Sequence, residues 1–575
     1  MEIREQLEQI IDDAIRAACD SGSLELEQAP AASLERPRDE AHGDWASTVA
    51  LRCARQLGKN PREVACAIIE ALPANDLIDT VEIAGAGFIN IRLKPAAYHR
   101  MLASICTLKG DYGKSEAPPE ERFVNLEYVS ANPTGPMHIG HGRWAALGDS
   151  MARVLRHAGY EVSQEFYVND AGVQMDLFAQ SVVCRYLQLN GQDVELIEKG
   201  YGGAYVTDIA QGILDRDGDT WLAVESEKRR DAFCEMAYGE MLQLMKDTLS
   251  RFGNNFDCWF SERSLYIDDA QGESPVSRAL KAMEDKGHVY TKDGATWFRS
   301  STFGDEKDRV LIKENGEFTY FMSDVAYHYD KLMRGFDRLI NIWGADHHGY
   351  VKRCEAMLAA WGHPGTLEVV LGQLVNLFRG GEVVRMSKRT GEMVTFAELI
   401  DEVGVDSTRY LMLSRSSDQP IDFDIEVAKK KDASNPVYYV QYAHARICSI
   451  LRKAVGLGEV DAASGDGPSM EGLADRLFAG TLDLSCLTDE AELTLMRKMG
   501  EFGELVADAA RDRAPFRLTH YAQDLAALFH QFYVACRVLN DDEGLQAARL
   551  YLVNATRIVL AQTLALLGVS APEKM

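Results

Sequence analysis

Residues 132–143 read Asn-Pro-Thr-Gly-Pro-Met-His-Ile-Gly-His-Gly-Arg. They follow an apolar run, Phe123 to Tyr128, that is typical of a strand, and precede an alanine-rich run, Trp144 to His157, that is typical of a helix. A strand that turns through small residues into a helix is suited to bind an anion, because unpaired N–H groups and the helix dipole face the ligand. His138 and His141 could add donors to a phosphate. Taken alone, they could equally be ordinary surface histidines in a turn, since short motifs occur by chance.

A second segment favours the phosphate interpretation. Residues 385–391 read Arg-Met-Ser-Lys-Arg-Thr-Gly, and they follow a hairpin signal in which apolar runs flank Arg379-Gly380-Gly381-Glu382. A short basic loop is suited to reach charge that develops on a polyphosphate. On its own, such a loop would be interpreted as a solvated charged turn.

Size and composition narrow the class of protein. A chain of 575 residues is too long for one core and suggests three or four domains. The 11 cysteines include no Cys-x-x-Cys pair, which argues against a disulfide framework and against zinc, and favours a reducing cytosol. The start lacks a signal peptide and no run approaches a membrane span, so we expect a cytoplasmic protein with no membrane partner. The net charge of −27 neither indicates nor excludes a nucleic acid, because a local basic face can exist on an acidic body.

Periodicity predicts three parts. Residues 1–108 are expected to form a small α+β unit, with helices at 3–18, 44–57 and 61–72 and one alternating strand at 81–93 that is interrupted by Gly85 and Gly87. Residues 109–430 are expected to form the second part, in which residues 109–121 are a linker. From Arg122 strands and helices alternate, as in a parallel α/β sheet, with a helical insertion at about 172–286. Residues 431–575 are expected to be helical, with runs at 436–455, 470–484, 488–511, 515–539 and 544–568 and a surface loop at 456–467.

Finer signals lie within the α/β part. Hairpins are predicted at Asp293-Gly294 and Asn315-Gly316. A strand end at 318–321 is expected to pass into a helix from Asp324 to Arg334, with Ser323 as its cap. The strand at 338–343 then ends in the turn 344–348, at the carboxyl edge where open α/β sheets bind ligands.

Together and in this order, the two motif segments resemble the HIGH and KMSKS signatures of class I aminoacyl-tRNA synthetases. The first is intact, whereas Arg385 and Arg389 replace the first lysine and the final serine of the second. Essentially the whole chain resembles a bacterial-type arginyl-tRNA synthetase. The supporting stretches are residues 39–45, 127–141, 343–348, 435–446 and 567–573.

This resemblance implies a Rossmann-type parallel-sheet catalytic domain, an N-terminal domain that contacts the tRNA elbow, and a helical anticodon-binding domain. It implies L-arginine, ATP and tRNA(Arg) as substrates and a monomer, and many members need bound tRNA before they activate arginine. Mg²⁺ would accompany ATP instead of occupying a protein metal site, and no zinc is expected.

The resemblance also implies an arginine site. The residues carried over to it are Glu127, Ser130, Asn132, His141, Tyr320, Asp324 and His348. Asp324 would hold the guanidinium, which is a planar fork of donors that needs a fixed carboxylate, and Tyr320 would add a hydroxyl and a flat wall. Ser130 and Asn132 suit the α-amino end, and Glu127 is a plausible second acid. Without the resemblance, Asp324 would be interpreted as a first-turn helix acid and Tyr320 as a strand aromatic.

For ATP, the implied set is His138, Gly140, His141, Gly344, Asp346, Met386, Ser387 and Lys388. His138, His141 and Lys388 are the predicted catalytic residues. They would meet the triphosphate while the arginine carboxylate attacks the α-phosphate, and Lys388 would compensate charge on the departing pyrophosphate.

Three alternatives stay open. A cysteinyl-type class I synthetase would be expected to carry zinc-binding cysteines. A small-molecule nucleotidyltransferase would not need the helical region after the basic loop. A non-catalytic tRNA-binding paralogue would not need His138, His141 and Lys388.

Overall fold

The computed structural model describes residues 3–37, 39–384, 394–456, 469–478, 480 and 482–575. The basic loop, with the predicted nucleotide ligands Met386, Ser387 and Lys388, lies outside these residues, as does nearly all of the predicted loop 456–467.

The N-terminal part is an antiparallel sheet in the order β1-β2-β4-β3, covered by helices. Its elements are α1 Ile3–Asp20, β1 Leu34–Glu35, β2 Trp45–Ser47, α2 Val49–Leu57, α3 Pro61–Glu70, β3 Ile78–Ala84, β4 Phe88–Leu93 and α4 Pro95–Leu108. Two predictions were wrong here. The helix expected from residue 44 begins only at Val49, because β2 pairs with β4 first. The single strand expected at 81–93 is a hairpin, since the chain reverses through Gly85 and Gly87, whose positive φ angles of 51° and 136° suit glycine.

The central part is built on a five-stranded parallel sheet in the order β12-β11-β5-β6-β7, which confirms the predicted α/β class. Its elements are β5 Phe123–Glu127, α5 Ile139–His157, β6 Glu161–Val168, α6 Val173–Leu189, α7 Ala204–Asp217, α8 Ser226–Arg251, β7 Cys258–Ser261, α9 Pro275–Asp285, β8 Val289–Lys292, β9 Ala295–Phe298, β10 Arg309–Ile312, α10 Tyr320–Met333, β11 Arg338–Gly344, α11 Val351–Trp361 and β12 Leu367–Gly372. The chain runs from β5 outward to β6 and β7, and later adds β11 and β12 on the other side of β5. The strand order therefore reverses between β5 and β11, where sheets of this kind bind ligands.

Within this part the sequence missed some features and located others. The interval predicted as a helical insertion also contains β7, a four-residue edge strand of the main sheet. The Asp293-Gly294 hairpin between β8 and β9 is confirmed, with positive φ at both turn residues. The predicted strand end at 318–321 is wrong, because α10 already begins at Tyr320 after Thr319, and Ser323 therefore lies inside the helix instead of capping it. Tyr320 and Asp324 consequently lie one helical turn apart on the same face of α10.

The C-terminal part begins with a small sheet in the order β14-β13-β15 and continues as a helical bundle. Its elements are β13 Val375–Arg379, β14 Glu382–Val383, α12 Phe396–Val403, α13 Val405–Met412, β15 Ile421–Asp424, α14 Ile425–Ala428, α15 Pro436–Ala454, α16 Met470–Leu477, α17 Glu490–Gly500, α18 Phe502–Arg511, α19 Phe516–Ala535 and α20 Glu543–Leu566. The hairpin around Gly380-Gly381 is confirmed, and so are most of the helical runs, but the run 488–511 is two helices. The run predicted at 470–484 was too long, because α16 ends at Leu477 and residues 482–484 are not helical. In the part of the chain that the structure describes, no helix has the length and apolar character needed to span a bilayer.

Candidate active site

Two strand ends meet at the point where the strand order reverses. β5 and β11 are parallel neighbours, and Glu127, the last residue of β5, is opposite Asn341 of β11. The turn after β5 leads to the two histidines, and the turn after β11 carries Gly344 and Asp346. These two predicted turns therefore share one edge of the sheet.

The histidine turn is a capped helix N-terminus. His138 is the N-cap of α5, and its Nδ1 accepts a hydrogen bond from the backbone N–H of Gly140 at 3.1 Å. His141 completes the box, since its Nδ1 accepts from the N–H of His138 at 3.2 Å. The two rings stack with centroids 3.7 Å apart. The imidazoles that were predicted to meet phosphate thus lie beside the positive end of the α5 dipole.

The turn between β5 and this helix is strained. Val129 and Ser130 have positive φ angles of 69° and 41°, an uncommon conformation for residues other than glycine and a costly one for valine. The Ser130 hydroxyl donates to Glu127 at 3.0 Å and accepts from the N–H of Tyr167 at 3.1 Å, which holds the turn in place. The Asn132 amide donates to Gln174 at 2.7 Å. Ser130 and Asn132, which the resemblance assigns to the arginine site, lie in the turn that leads from β5 to the two histidines.

The residues described on each side of the basic loop contact β13 and the histidine turn. Before the loop, the N–H of Val384 donates to Leu377 of β13 at 2.8 Å. After it, Thr395 forms a β-bridge with His138, and the N–H of Phe396 donates to Met137 at 2.9 Å. The chain that leaves the basic loop is therefore bound directly to the histidine turn.

Arg143, the last residue of the first motif, was not predicted as functional. Its side chain is fully buried and donates to the carbonyls of Gln373 at 2.7 Å, Ser416 at 2.9 Å and Gln419 at 2.7 Å. These carbonyls immediately precede β13 and β15, so Arg143 joins α5 to the small sheet that leads into the basic loop. Burial lowers the pKa of the guanidinium to about 10, and Asp418 partly offsets this effect.

Two acids at the sheet edge are neutralised by cations of the chain itself. Glu127 accepts from Lys331 Nζ at 2.7 Å, and this lysine is fully buried. Glu165 of β6 is also buried and takes both arms of Arg334, at 2.6 and 2.9 Å. Burial alone would raise the pKa of Glu165, but Arg334 and Lys331 lower it to about 2. Glu127, which was predicted as a second acid of the pocket, is thus paired within the protein.

Two other acids, Asp324 and Glu262, form no ion pair within the described part of the chain. Asp324 is half-buried in the second turn of α10 and accepts a short hydrogen bond from the hydroxyl of Tyr350. Burial raises its pKa to about 7, and the charges of Glu127 and Glu262 add to this rise, whereas the Tyr350 hydroxyl and the charge of Arg353 oppose it. Glu262 is buried as well and is contacted by the hydroxyls of Ser323 and Tyr167, and burial raises its pKa. Neither acid forms an ion pair with any residue that the structure describes. This pair of acids suits a cationic ligand.

Tyr350 and Glu262 were missed by sequence analysis. Tyr350 ends the short 3-10 helix Ala345–Tyr350, two residues after the stretch that carried the resemblance. Glu262 follows the unpredicted strand β7, so no signal pointed to it.

Other predicted residues lie at the rim of this region. Tyr320 is 74% exposed at the start of α10. The hydroxyl that donates to Asp324 belongs to Tyr350 and not to Tyr320. Asp346 and His348 are exposed on the 3-10 helix after β11. A Cβ on Gly344 would lie 2.5 Å from the Asp346 carboxylate, so glycine there lets this side chain fold back over the turn. Among the described residues, no three His, Cys, Asp or Glu side chains cluster as a metal site would require.

Comparisons with known proteins agree with this geometry. Residues 102–447 match the family described as tRNA synthetases class I (R), catalytic domain. Residues 5–93 match the arginyl tRNA synthetase N terminal domain, and residues 440–575 match the DALR anticodon binding domain.

Full-length relatives carry the same description. The chain is 46% identical over 561 residues to the arginine–tRNA ligase of Carboxydothermus hydrogenoformans, covering 97% of each chain. It is 45% identical to that of Heliobacterium modesticaldum, covering 100% of this chain and 99% of the relative. The fold also matches Thermus thermophilus arginyl-tRNA synthetase, with a TM-score of 0.74 at 24% identity over 100% of both chains. The resemblance inferred from the sequence is thereby confirmed, and the chain belongs to the arginyl-tRNA synthetase family of class I enzymes.

Proposed function

We propose that this protein is an arginine–tRNA ligase that activates L-arginine with ATP and transfers it to the terminal ribose of tRNA(Arg). The observation that supports the substrate assignment is the pair of acids, Asp324 and Glu262, neither of which forms an ion pair with a described residue and both of which have a raised pKa. A guanidinium supplies the missing charge and up to five donors.

In the first step, the arginine carboxylate attacks the α-phosphate of ATP and pyrophosphate leaves. The N-terminus of α5, with His138, Gly140 and His141, lies at the sheet edge where the triphosphate is expected. Gly344 is expected to contact the nucleotide and Asp346 the ribose hydroxyls. The loop that carries Met386, Ser387 and Lys388 follows directly from β14, and Lys388 is assigned to the charge on pyrophosphate. Mg²⁺ accompanies ATP in this proposal and neutralises part of the same charge.

The arginine side chain is assigned to Asp324, with Tyr350 orienting this carboxylate. Tyr320 lies one turn earlier on the same helix and would cover the guanidinium face once arginine is bound. Ser130 and Asn132, on the turn after β5, are assigned to the α-amino end, and His348 to the rim of the same site.

The tRNA assignments rest on the family. The N-terminal domain is assigned to the tRNA elbow and the helical domain to the anticodon. The division into residues 1–108, 109–430 and 431–575, the monomeric state and the cytoplasmic location stay predictions.

Pyrophosphate exchange, measured with each amino acid in the presence and absence of tRNA(Arg), tests this proposal. We expect exchange with arginine and with no other amino acid. Exchange with cysteine instead would favour the cysteinyl-type alternative, and no exchange with any amino acid would favour a non-catalytic paralogue.

Replacing Lys388 tests the role of the basic loop. Lys388→Ala should slow adenylate formation by roughly a hundred-fold or more, as loss of a contact to developing charge typically does. The affinity for tRNA should stay near that of the unaltered protein, and a large loss of tRNA binding with normal activation would contradict the role.

A further inference from the structure

Helices α6, α7 and α8, which we call the insertion, pack around an apolar core of their own. Its buried members include Phe178 of α6, Ile209 of α7 and Phe233 of α8. Tyr205, the second residue of α7, lies at the edge of this core, with its ring 6.2 Å from that of Phe178. The Tyr205 hydroxyl reaches out of the core and donates to the backbone carbonyl of Thr134 at 2.8 Å. The insertion therefore contacts the turn that leads to the two histidines.

Two glycines leave room for the Tyr205 side chain. A Cβ on Gly203, the N-cap of α7, would lie 2.5 Å from the tyrosine ring, and a Cβ on Gly135 would lie 2.9 Å from its hydroxyl oxygen. These distances are shorter than ordinary van der Waals contact, so glycine at both positions permits the close approach. Burial raises the pKa of the Tyr205 hydroxyl, which therefore stays protonated at physiological pH. The hydroxyl is thus a permanent donor, and its ring is closely packed on two sides.

The Thr134 carbonyl lies in the middle of a turn whose two ends are held by other contacts. At the start of the turn, the Ser130 hydroxyl donates to Glu127 at 3.0 Å. At its end, His138 caps α5 and forms the β-bridge with Thr395. Between these points, the insertion supplies the hydrogen bond to the Thr134 carbonyl. The insertion therefore holds a part of the turn that lies between the arginine and nucleotide assignments.

A displacement of Thr134 would be passed on directly to Asn132. Thr134 is buried, and its N–H donates to the Asn132 carbonyl at 2.8 Å. The Asn132 side chain also contacts the insertion, since its amide donates to Gln174 near the start of α6. Asn132 is assigned to the α-amino end of arginine, whereas His138 lies farther along the chain and is held by its own contacts. The arginine end of the site should therefore depend on the insertion more than the nucleotide end does.

We propose that Tyr205 is a positioning residue through which the insertion fixes this turn for arginine binding. Tyr205 acts through the Thr134 carbonyl and the Asn132 backbone, and not by contact with arginine. The inference rests on the proposed function, since it takes arginine as the amino acid that binds beside the turn. In the alternative, Tyr205 only stabilises the insertion, and its hydroxyl then matters no more to catalysis than another buried tyrosine hydroxyl of the same core.

Pyrophosphate exchange by full-length Tyr205→Phe, at saturating tRNA(Arg), tests the inference. This variant keeps the ring in the core and removes only the donor. The kcat/KM for arginine should fall roughly tenfold, the order expected when a hydrogen bond that orients reacting groups is lost. The KM for ATP should stay near that of the unaltered protein. Calorimetric titration with arginine should show a loss of affinity in the same variant.

Tyr186→Phe is the matched control. The Tyr186 hydroxyl on α6 donates to the carbonyl of Gly218 at 2.7 Å, so this variant also removes one hydrogen bond between a tyrosine and a backbone carbonyl from the same core. Gly218 follows the C-terminal end of α7, whereas Tyr205 lies at the N-terminal end. Urea unfolding should show similar losses of stability in the two variants, and only Tyr205→Phe should lose kcat/KM for arginine.

Gly135→Ala disturbs the same contact from the side of the turn. Its methyl group would push against the Tyr205 hydroxyl, so this variant should also lower the kcat/KM for arginine. In the double variant with Tyr205→Phe, the loss should be smaller than the product of the two single losses, because both changes remove one contact.

The inference is overturned if Tyr205→Phe keeps the arginine kcat/KM of the unaltered protein, if Tyr186→Phe loses as much of it, or if arginine and ATP are affected equally. Multiplication of the two single losses in the double variant would also overturn it. Absence of exchange with arginine in the unaltered protein would instead refute the proposed function. The two failures are therefore distinguishable.

Discussion

Glu165 and Asp324 lie near the same edge of the parallel sheet but in opposite electrostatic states. Glu165 receives a bidentate guanidinium from Arg334 and a hydroxyl from Tyr327, and its pKa falls to about 2. Among the described side chains, Asp324 receives a hydrogen bond from the hydroxyl of Tyr350 and forms no ion pair, and burial raises its pKa to about 7. Of these two carboxylates, Glu165 is therefore paired with a guanidinium of the protein, whereas Asp324 forms no ion pair with a residue that the structure describes.

The two carboxylates are expected to have different roles: Glu165 stabilises the fold, and Asp324 binds a cationic ligand. A buried acid with its cation is costly to break, because the remaining charge is left without a partner. A buried acid without a cation carries a desolvation cost in the free protein, and a cationic ligand relieves that cost when it binds. We therefore expect removal of charge at the two positions to have opposite effects on unfolding.

The largest expected effect is on arginine binding. Asp324→Asn should weaken arginine binding by roughly a thousand-fold, as loss of one partner of a buried charge pair can do. The KM for ATP should change little, because the nucleotide contacts are assigned to α5 and the turn after β11, not to α10. Pyrophosphate exchange at varied arginine and ATP measures both values, and equal losses for the two substrates would refute the assignment.

The second prediction concerns stability. Glu165→Gln should lower the free energy of unfolding by about 2 kcal/mol, less than the full cost of breaking a buried pair because Arg334 is partly exposed. Asp324→Asn should leave stability unchanged or raise it slightly. Urea unfolding of both variants tests the contrast, and a larger loss of stability in Asp324→Asn than in Glu165→Gln would reverse it.

The third prediction follows from the pKa of Asp324. Only the ionised carboxylate holds a guanidinium, so arginine affinity should rise about tenfold between pH 6 and pH 8 and then level off. The direction is set by the raised pKa in the free protein, since bound arginine lowers it and a proton is released on binding. Asp324→Asn should flatten this profile in direct binding measurements, and a profile that kept its slope would assign the titration to another group.

Glu165, the acid paired with Arg334, should affect stability at acidic pH. Because the pKa of Glu165 is lowered, its contribution to stability is present above its ordinary pKa and is lost as the pH falls toward about 2. Acid unfolding of Glu165→Gln should therefore be less steep than that of the unaltered protein. Identical acid transitions would indicate that Arg334 does not stabilise the folded state through this carboxylate.

The smallest effect is expected from Glu262. Glu262→Gln removes a negative charge that helps to raise the pKa of Asp324, so the midpoint of the arginine pH profile should move to lower pH. The affinity above pH 8 should fall only about threefold, because Glu262 acts in addition to the direct contact at Asp324. An unmoved midpoint would show that the two acids are not coupled.

Sequence patterns predicted those parts of the site that are determined by residues close together in the chain. The histidine turn, the strands on each side of the reversal and the glycine hairpins were located because strand, turn and helix signals each lie within a few residues. The match to the class I catalytic domain confirmed the family resemblance that the two motif segments carried.

The acid pairings could not be predicted, because they depend on which distant side chains meet. Glu127 and Lys331 are 204 positions apart, and Glu165 and Arg334 are 169 apart. Glu262 follows a four-residue strand whose identity appears only when it pairs with β6. Arg143 was overlooked for a related reason, since its carbonyl acceptors come from two loops more than 200 residues away.

Calorimetric titration with arginine and with citrulline, which has the same shape but a neutral ureido group, shows whether the Asp324 carboxylate holds the guanidinium. The unaltered protein at pH 8 should bind arginine far more tightly than citrulline, and this preference should nearly disappear in Asp324→Asn. Equal affinity of the unaltered protein for the two ligands, or an unchanged preference in Asp324→Asn, would contradict this role of Asp324.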